Sequence, residues 1–270
     1  MYNEGAKGGI FMKEKIDRYV EYGSTKLKML YKEKHLKSNG INLKYILEKN
    51  RNSKDLIVVF SGMPRPGMKA RYNYMRTLKD VKVNKLFILD DFGFDGRGAY
   101  YLGKNRDFNI ERAVLELIPK IKSDLSIEKT IYCGSSKGGW AAMYFGMRDK
   151  NSIIIAGGLQ YRLGHRLTVV EILRTNTMSY IMGENYTDAD VDYLNDLLKN
   201  VIEENRNNDN KIYLHYSDSE STYDRYMIYL LEDLNNLGIP YDEDIAHYKS
   251  HNEIAFYFPP FLSETLNKVL

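Results

Sequence analysis

The segment with the clearest chemical meaning is a serine flanked by glycines. Gly134, Ser136 and Gly138 form the pattern G-x-S-x-G, which follows the apolar run Thr130–Cys133 and precedes a good helix opening at Trp140. A serine at a sharp strand-to-helix turn sits in strained backbone, so its flanking residues must be nearly without side chains. The spacing therefore predicts that Ser136 is a nucleophile at the end of a strand.

A serine hydroxyl is a poor nucleophile at its ordinary pKa and needs a general base. The chain has five histidines. His35 precedes the predicted sheet, and His165 falls in a predicted helical insertion. His215 and His247 lie within strand patterns, where a structural histidine is the usual explanation. His251 directly follows a strand, so we predict it as the base; its spacing from His247 does not place both on one face, and no metal site is expected.

The carboxylate that would orient this base is expected after the strand Ile212–Tyr216. Two candidates follow that strand, Asp218 and Glu220. Either one would fix the imidazole tautomer and stabilise the imidazolium as the serine attacks. Glu220 fits the usual distance from the strand's end better, and Asp218 is the alternative acid. The unused carboxylate is expected near a helix N-terminus, where the helix dipole stabilises it.

Acyl transfer also needs hydrogen-bond donors for the developing oxyanion. The backbone N–H of Lys137, directly after the nucleophile, is one expected donor. The second is expected from the loop after Leu56–Phe60, where Met63 is the first choice and Gly62 the second. The two prolines of that loop have no N–H to donate.

A second glycine-rich loop follows the strand that ends at Leu89. Its glycines form G-x-x-G-x-G, which is not the dinucleotide-binding pattern, so no nucleotide cofactor is expected. Arg97, Tyr100 and Tyr101 in this loop either line an acceptor pocket for a polar or sugar-like ligand, or pack within the loop. The sequence leaves both interpretations open.

Short apolar runs alternate with helical patterns along most of the chain. This alternation predicts right-handed crossovers and a mainly parallel sheet with helices on both faces. Because only a short turn joins the first two strands, we expect them to form an antiparallel edge hairpin. The predicted strands are Ile41–Leu47, Leu56–Phe60, Leu86–Leu89, Thr130–Cys133, Ser152–Ile155, Ile212–Tyr216 and Ile245–Tyr248, and the predicted helices are Tyr72–Lys79, Ile110–Lys122, Gly138–Met147 and Thr222–Leu237.

Composition excludes several classes of protein. The 39 basic and 36 acidic residues give a formal charge of only +3, too small to imply a nucleic-acid surface. With one cysteine, the chain cannot form an internal disulfide or a cysteine-rich metal site, which favours a reducing compartment such as the cytoplasm. No run approaches the roughly 18 apolar residues of a membrane span. We therefore expect a soluble globular protein with no integral membrane segment.

Five features together resemble the α/β-hydrolase superfamily: Phe60–Gly62, Leu89–Gly93, Tyr100–Gly103, Gly134–Gly139 and His251. More narrowly, they are similar to bacterial members found with surface-glycan and accessory-secretion systems, including a glycoprotein O-acetyltransferase of the accessory Sec pathway. In that subfamily the acid is a glutamate, which favours Glu220. The chain differs from the common hydrolase pattern in lacking a His-Gly pair before the oxyanion loop and in having lysine after the nucleophile.

The resemblance implies an α/β-hydrolase domain over residues 41–270. The sequence pattern itself predicts a leader and a lysine-rich helix within residues 1–40. Residues 13–37 are the predicted extent of that helix. Between about 157 and 208 the strand–helix rhythm breaks, and two helical pieces are expected, near Leu167–Arg174 and Asp188–Glu204. A stretch this long is unusual for a crossover, so we interpret it as a helical cap insertion, with a packing helix and a long loop as the alternative.

The expected function is a serine esterase or acyl hydrolase that acts through Ser136, His251 and Glu220. The expected substrate is a small molecule or glycan bearing an O-acyl, such as O-acetyl, ester, and no cofactor is required. Two alternatives remain. One is an O-acetyltransferase, in which a sugar or glycoprotein hydroxyl replaces water at the acyl-enzyme. The other is a non-catalytic component with this fold, working among the partners of a glycan-biosynthesis or secretion complex.

Overall fold

A single mixed sheet organises the part of the chain that can be described. The computed structural model describes residues 31–270, and His35–Leu270 form one compact unit. The sheet within residues 31–270 has eight strands in the order β1-β2-β4-β3-β5-β6-β7-β8. The strands are β1 (Glu33–Ser38), β2 (Ile41–Glu48), β3 (Asp55–Phe60), β4 (Asn84–Leu89), β5 (Lys129–Ser135), β6 (Ile153–Gly157), β7 (Lys211–Ser217) and β8 (Tyr241–Ala246).

From β4 to β8 every neighbouring pair of strands is parallel, and β2 runs antiparallel to β4. The central strands are apolar on both faces because helices cover both: β4 and β6 are buried along their whole length. The edge strand β8 is mostly exposed and carries three consecutive acidic residues, a composition that discourages pairing with another strand. The predicted mainly parallel α/β-hydrolase sheet is confirmed.

The α-helices within residues 31–270 are α1 (Asn109–Leu125), α2 (Lys137–Gly146), α3 (Leu163–Thr168), α4 (Glu171–Leu173), α5 (Ser179–Met182), α6 (Asp188–Glu204), α7 (Ile228–Asn236) and α8 (Ile254–Val269). Single π-helical turns precede two of them, Arg174–Met178 before α5 and Tyr223–Met227 before α7. No helix in this part of the chain has the length and apolar character that a membrane crossing requires.

Two helices pack on opposite faces of β6. Gly146 of α2 lies against the Ile154 side chain, whereas Phe258 of α8 lies against Gly157. Residues three apart on a strand point to opposite faces, so α2 and α8 sandwich the sheet here. Helix α2 also contacts α6, and all ten of its residues are buried. Ser136, just before α2, and His251, just before α8, therefore precede helices on opposite faces of the sheet.

Two predicted elements are wrong, and a third is wrong over the strand at its end. The predicted helix over 13–37 contains strand β1 at its end, where Leu36 packs against the core and polar residues alternate with it; residues 13–30 lie outside the described part. Tyr72–Lys79 forms turns, not a helix, because Tyr74 adopts a positive φ of 60° that no α-helix accommodates.

The expected hairpin between the first two predicted strands is also wrong. Strand β2 pairs with β4, in a register that places Lys44 opposite Leu89, and β3 lies between β4 and β5. The physical reason is burial: β3 is apolar on both faces and takes a parallel partner on each side. Half-buried β2 is suited to a place nearer the edge.

Most other elements match their predictions closely. The predicted helix Asp188–Glu204 is α6, and the two helices predicted around 110–122 and 138–147 are α1 and α2. The last predicted strand is displaced, since β8 ends at Ala246. Between β6 and β7 the chain forms α3 to α6, whose buried faces join the main core through residues such as Leu167 and Leu198.

Candidate active site

Ser136 sits at the turn between β5 and α2 in a strained conformation. Its φ is 54° and its ψ −122°, which is unfavourable for a residue with a side chain. A Cβ on Gly134 would lie 2.5 Å from the Gly138 backbone, and a Cβ on Gly138 would lie 2.6 Å from the Phe60 carbonyl oxygen. The Ser136 N–H donates to the Gly157 carbonyl at 2.8 Å, which holds the turn on β6. The flanking glycines are therefore required by space.

His251 lies in hydrogen-bond contact with the serine. Its Nε2 is 2.9 Å from Ser136 Oγ. His251 begins a 3₁₀ turn between β8 and α8, and that turn is closed by a capping box in which Ser250 and Glu253 satisfy each other's backbone N–H groups. The cap fixes the position of the imidazole, which is half-buried.

The carboxylate that reaches His251 belongs to Glu220. The two carboxylate oxygens lie 3.1 and 3.2 Å from His251 Nδ1, and the Glu220 side chain is only 2% exposed. Thr222 Oγ1 donates to the same carboxylate at 3.1 Å. With Nδ1–H donating to Glu220, Nε2 is left as the acceptor that faces the serine.

The alternative acid, Asp218, does not reach His251. Its carboxylate contacts His247 Nδ1 at 2.8 Å on the exposed surface. The hydrogen bond from His247 holds the pKa of Asp218 below its usual range, helped by a hydrogen bond from Ser219. The structure thus brings together Ser136, His251 and Glu220.

Gln160 also contacts the serine and the histidine, and no sequence pattern predicts this contact. Its Nε2 lies 3.3 Å from Ser136 Oγ and 3.1 Å from His251 Nε2, and donates to the Gly158 carbonyl at 3.2 Å. The side chain is buried, at 1% exposure. A glutamine three residues beyond a strand matches no local pattern, so only the fold reveals it.

The backbone donors named from the sequence differ in their availability. The Gly62 N–H donates to Asn73 Oδ1 at 2.9 Å and is therefore occupied. Among residues 31–270 neither the Met63 N–H nor the Lys137 N–H has a hydrogen-bond acceptor. A Cβ on Gly62 would lie 3.6 Å from the Ser135 carbonyl oxygen. The loop that carries Met63 therefore runs beside the β5–α2 turn at Ser136, which we call the elbow. This arrangement leaves Met63 and Lys137 as the open pair.

Arg97 and Tyr101, expected either to line a pocket or to pack, make interior contacts. Arg97 is 4% exposed, donates from Nε to Asp95 at 2.8 Å and from Nη1 to the Pro64 carbonyl at 3.1 Å. Tyr101 OH donates to the Ile88 carbonyl at 3.0 Å and accepts the Ser61 N–H at 2.6 Å. Both residues therefore brace the loop that carries Met63 and are not open to a ligand.

Tyr100 is the member of this loop that approaches the site. Its hydroxyl donates to Gln160 Oε1 at 3.4 Å, and its ring packs edge-on against Trp140 at 5.7 Å between centroids. Burial raises the pKa of Tyr100 to about 12, with the charge of Arg166 opposing the rise. Tyr100 thus lies between Gln160 and Arg166.

A buried ion pair lies beneath the elbow. Lys137 Nζ is 2.7 Å from Asp90 Oδ2, and it also faces the Tyr101 ring at 5.0 Å. Burial lowers the pKa of Lys137, and the Asp90 charge opposes that change. A Cβ at Gly98, which has a φ of 120°, would lie 2.2 Å from Nζ. The sequence predicted a role only for the backbone N–H of Lys137. It did not predict the ion pair, because the Asp90 carboxylate is 47 positions away.

The sheet order, the serine at the β5–α2 turn and the histidine after the last strand define the class: the chain has an α/β-hydrolase fold. No protein-family model matches the sequence, and no curated protein matches it significantly. The resemblance proposed from the motifs is confirmed by similarity to solved structures.

Three of these solved structures illustrate the kinds of protein to which the chain is similar. A capsule O-acetyltransferase of Neisseria meningitidis serogroup A aligns over 88% of this chain and 99% of its own, with 20% identity and a TM-score of 0.70. The Glycosylation Associate Protein (Gap123) complex from Streptococcus agalactiae aligns over 88% of this chain and 46% of that chain, with 18% identity and a TM-score of 0.68. Fluorophosphonate-binding serine hydrolase F of Staphylococcus aureus aligns over 87% and 95%, with 14% identity and a TM-score of 0.59. At these identities the similarity establishes the fold.

Proposed function

We propose that the protein is a serine enzyme that cleaves O-acyl esters through a covalent acyl-enzyme. The observation that carries the proposal is the continuous contact from Glu220 through His251 to Ser136, with 3.1 Å at Nδ1 and 2.9 Å at Nε2. Nucleophile, base and orienting carboxylate in this order are what serine acyl transfer requires. The three residues are 115 and 31 positions apart in the chain, so a chance local pattern does not explain their meeting.

In the first half-reaction Ser136 Oγ attacks the ester carbonyl carbon while His251 Nε2 takes the hydroxyl proton. Glu220 stabilises the imidazolium through Nδ1–H. The N–H groups of Met63 and Lys137 donate to the tetrahedral oxyanion. The intermediate collapses, the C–O bond to the leaving alcohol breaks, and His251 returns the proton to that oxygen. The acyl group is then held as an ester of Ser136.

In the second half-reaction water attacks the acyl-enzyme and gives its proton to His251 Nε2. Collapse of the second tetrahedral intermediate releases the carboxylic acid and returns the proton to Ser136 Oγ. Gln160 lies beside both Ser136 Oγ and His251 Nε2, where its side-chain amide can donate a hydrogen bond to the oxygen of the attacking water. Gln160 belongs to the stretch 157–208, which supports the role of that stretch as a cap over the site.

The second candidate is an O-acetyltransferase, in which a sugar or glycoprotein hydroxyl attacks in place of water. The alignment over almost the full length of a capsule O-acetyltransferase favours it, and a structure of that enzyme's variant is described as a complex with CoA. Acetyl-CoA is therefore the donor to try first. The likeness to the Gap123 complex likewise supports partners in glycan biosynthesis. The single cysteine is the feature that favours the cytoplasm as the place where the enzyme works.

A fluorophosphonate probe tests the proposal directly, because it reacts with activated serines. We expect labelling at Ser136, identified by peptide mass spectrometry, and none in Ser136→Ala or His251→Ala. Ser135→Ala is the matched control, since this neighbouring hydroxyl contacts Tyr74 and not His251. A folded wild-type protein that takes up no label would favour the non-catalytic alternative.

Esterase and transferase are separated by the fate of the acetyl group. Radiolabelled acetyl-CoA or p-nitrophenyl acetate is turned over with and without sugar acceptors, and free acetate is measured against acetylated sugar. Acetate as the main product at all acceptor concentrations supports the esterase. Partition toward the sugar that saturates with acceptor supports the transferase.

A further inference from the structure

A half-buried asparagine holds the loop that carries Met63. The three residues that follow β3 are Ser61, Gly62 and Met63. The Ser61 N–H donates to Tyr101 OH at 2.6 Å, and the Gly62 N–H donates to Asn73 Oδ1 at 2.9 Å. Within residues 31–270 the next N–H along the chain, that of Met63, has no acceptor. The side chains of Tyr101 and Asn73 thus occupy two consecutive donors and leave the third free.

The backbone at Asn73 is anchored through the residue that follows it. Tyr74 has a left-handed φ of 60°, and its ring packs against the ring of Phe258 at 5.2 Å between centroids. Phe258 belongs to α8 and lies against Gly157, whose carbonyl accepts the Ser136 N–H at 2.8 Å. Because Tyr74 packs on the helix that contacts this strand, Asn73 is tied to the same part of the fold as the elbow.

The hydrogen bond to Asn73 restrains the most adaptable point of the loop. A glycine backbone has more conformational freedom than any other, and Gly62 directly precedes the free N–H of Met63. With its own N–H held at 2.9 Å by Asn73, Gly62 is less free to rotate, and the direction of the Met63 N–H is restricted with it. Asn73 therefore limits the motion of a donor that it does not itself touch through a hydrogen bond.

We infer that Asn73 is a positioning residue for the oxyanion site: its side-chain amide holds Gly62 so that the Met63 N–H is presented to the acyl oxygen. The inference rests on the proposed acyl-transfer function. A donor that is held in advance needs no reorganisation when the charge develops on the oxygen. Its effect therefore falls on the transition state and not on the binding of the substrate, which remains unchanged when the donor is loosened.

The alternative donor is the Gly62 N–H, which would have to leave Asn73 in order to bind an oxyanion. The two possibilities predict different effects of removing the Asn73 amide. If Met63 donates, loss of Asn73 Oδ1 loosens the loop and lowers the rate. If Gly62 donates, the same loss releases the Gly62 N–H for the oxyanion, and the rate stays the same or rises.

The test separates the rate of the reaction from the binding of the substrate. Asn73→Leu keeps the approximate size of the side chain and removes the acceptor, and Asn73→Ala removes both. With p-nitrophenyl acetate we expect each variant to lower kcat by about 10- to 100-fold, with KM within about threefold of the wild type. A trifluoromethyl ketone forms a charged hemiketal with an active serine, so its inhibition constant should rise by the factor by which kcat/KM falls.

Asn84→Ala is the matched control for the loss of a side-chain amide that holds the backbone. Asn84 Oδ1 accepts the Asn50 N–H at 2.9 Å, but Asn84 begins β4 and so lies at the opposite end of this strand from the site. Asn84 also donates to the Ser53 and Asp55 carbonyls. Urea unfolding should therefore show that Asn84→Ala costs at least as much stability as Asn73→Ala, whereas its kcat should stay within about twofold of the wild type.

Three results would overturn the positioning role of Asn73. One is an unchanged or raised kcat in both Asn73 variants, and another is a loss in them that appears in KM and not in kcat. The third is an equal loss of kcat in Asn84→Ala, which would make the effect a general consequence of lower stability. Fluorophosphonate labelling of the wild type reports Ser136 separately. Labelled wild type with fully active Asn73 variants removes the positioning role alone, whereas folded wild type without label removes the acyl-transfer function as well.

Discussion

Lys137 and Asp90 form an ion pair with no exposed surface, in which Nζ lies 2.7 Å from Oδ2. Lys137 directly follows Ser136, and Asp90 directly follows β4. Asp90 also accepts the N–H groups of Ala99 and Tyr101, so the carboxylate organises the loop behind the site. The pair therefore fixes the start of α2 relative to the neighbouring strand and loop.

Removing one member of this pair should destabilise the protein strongly. Lys137→Met leaves a buried carboxylate without its cation, which costs about 3–5 kcal/mol. Asp90→Asn leaves the opposite charge unpaired and should act in the same direction. Unfolding in urea, followed by circular dichroism, gives both free energies. The double variant Lys137→Met/Asp90→Asn should recover part of the loss; additive single effects would contradict the pairing.

Glu220→Gln should lower kcat/KM for p-nitrophenyl acetate by about 10³- to 10⁴-fold, because the amide favours the wrong imidazole tautomer and cannot stabilise the imidazolium. Asp218→Asn is the matched control, since Asp218 contacts His247 on the surface and not His251. Its activity should stay within twofold of the wild type. The reverse pattern would make Asp218 the acid and remove Glu220 from the mechanism.

Gln160→Glu should change the pH dependence of the same reaction. A carboxylate in place of the Gln160 amide, 3.1 Å from His251 Nε2, would stabilise the protonated imidazole. Since catalysis needs the neutral imidazole, the acid limb of the kcat/KM profile should move to higher pH by about one unit or more. Gln160→Leu introduces no charge and should lower the rate without moving that limb. Identical midpoints for the two variants would mean that Gln160 only fills space.

Asp190 should contribute stability that depends on pH. Hydrogen bonds from Arg106 and then from Thr187 hold the pKa of this carboxyl well below its usual range. The contribution is complete above the unfolded-state value of about 3.9 and is lost as the pH falls below it. Asp190→Asn should therefore cost about 1 kcal/mol at pH 7, from the capping box of α6, and less at pH 3. Asp188→Asn, exposed in the same turn, is the control, and a cost that does not change with pH would refute the assignment.

Sequence reasoning succeeded where short-range patterns carry the information. The strained turn at Ser136 could be predicted because it requires glycines at fixed positions, and α6 could be predicted because its apolar residues repeat at helical spacing. The place of β2 beside β4 was missed because strand order depends on which strands are buried on both faces, a property of the assembled sheet. A short connection between two strands says little about whether they pair.

The parts of the site that escaped prediction depend on contacts between distant residues. Gln160 lies 24 positions from Ser136 and 91 from His251, and no local rule marks a glutamine as a neighbour of either. The ion pair of Lys137 could not be predicted either. Its partner Asp90 lies 47 positions away, and only the structure shows that the two side chains meet. Glu220 was preferred to Asp218 from its position after β7, and geometry now brings Glu220 to His251.

Phe258 of α8 lies directly against Gly157, whose carbonyl accepts the Ser136 N–H, and α8 begins three residues after His251. The packing of α8 on the sheet therefore helps to hold the imidazole near the Ser136 hydroxyl. A ribosome would release the elbow more than a hundred residues before the imidazole, as the two are 115 positions apart. If the proposed function holds, the nascent chain carries the Ser136 turn well before it carries the base that would activate this serine.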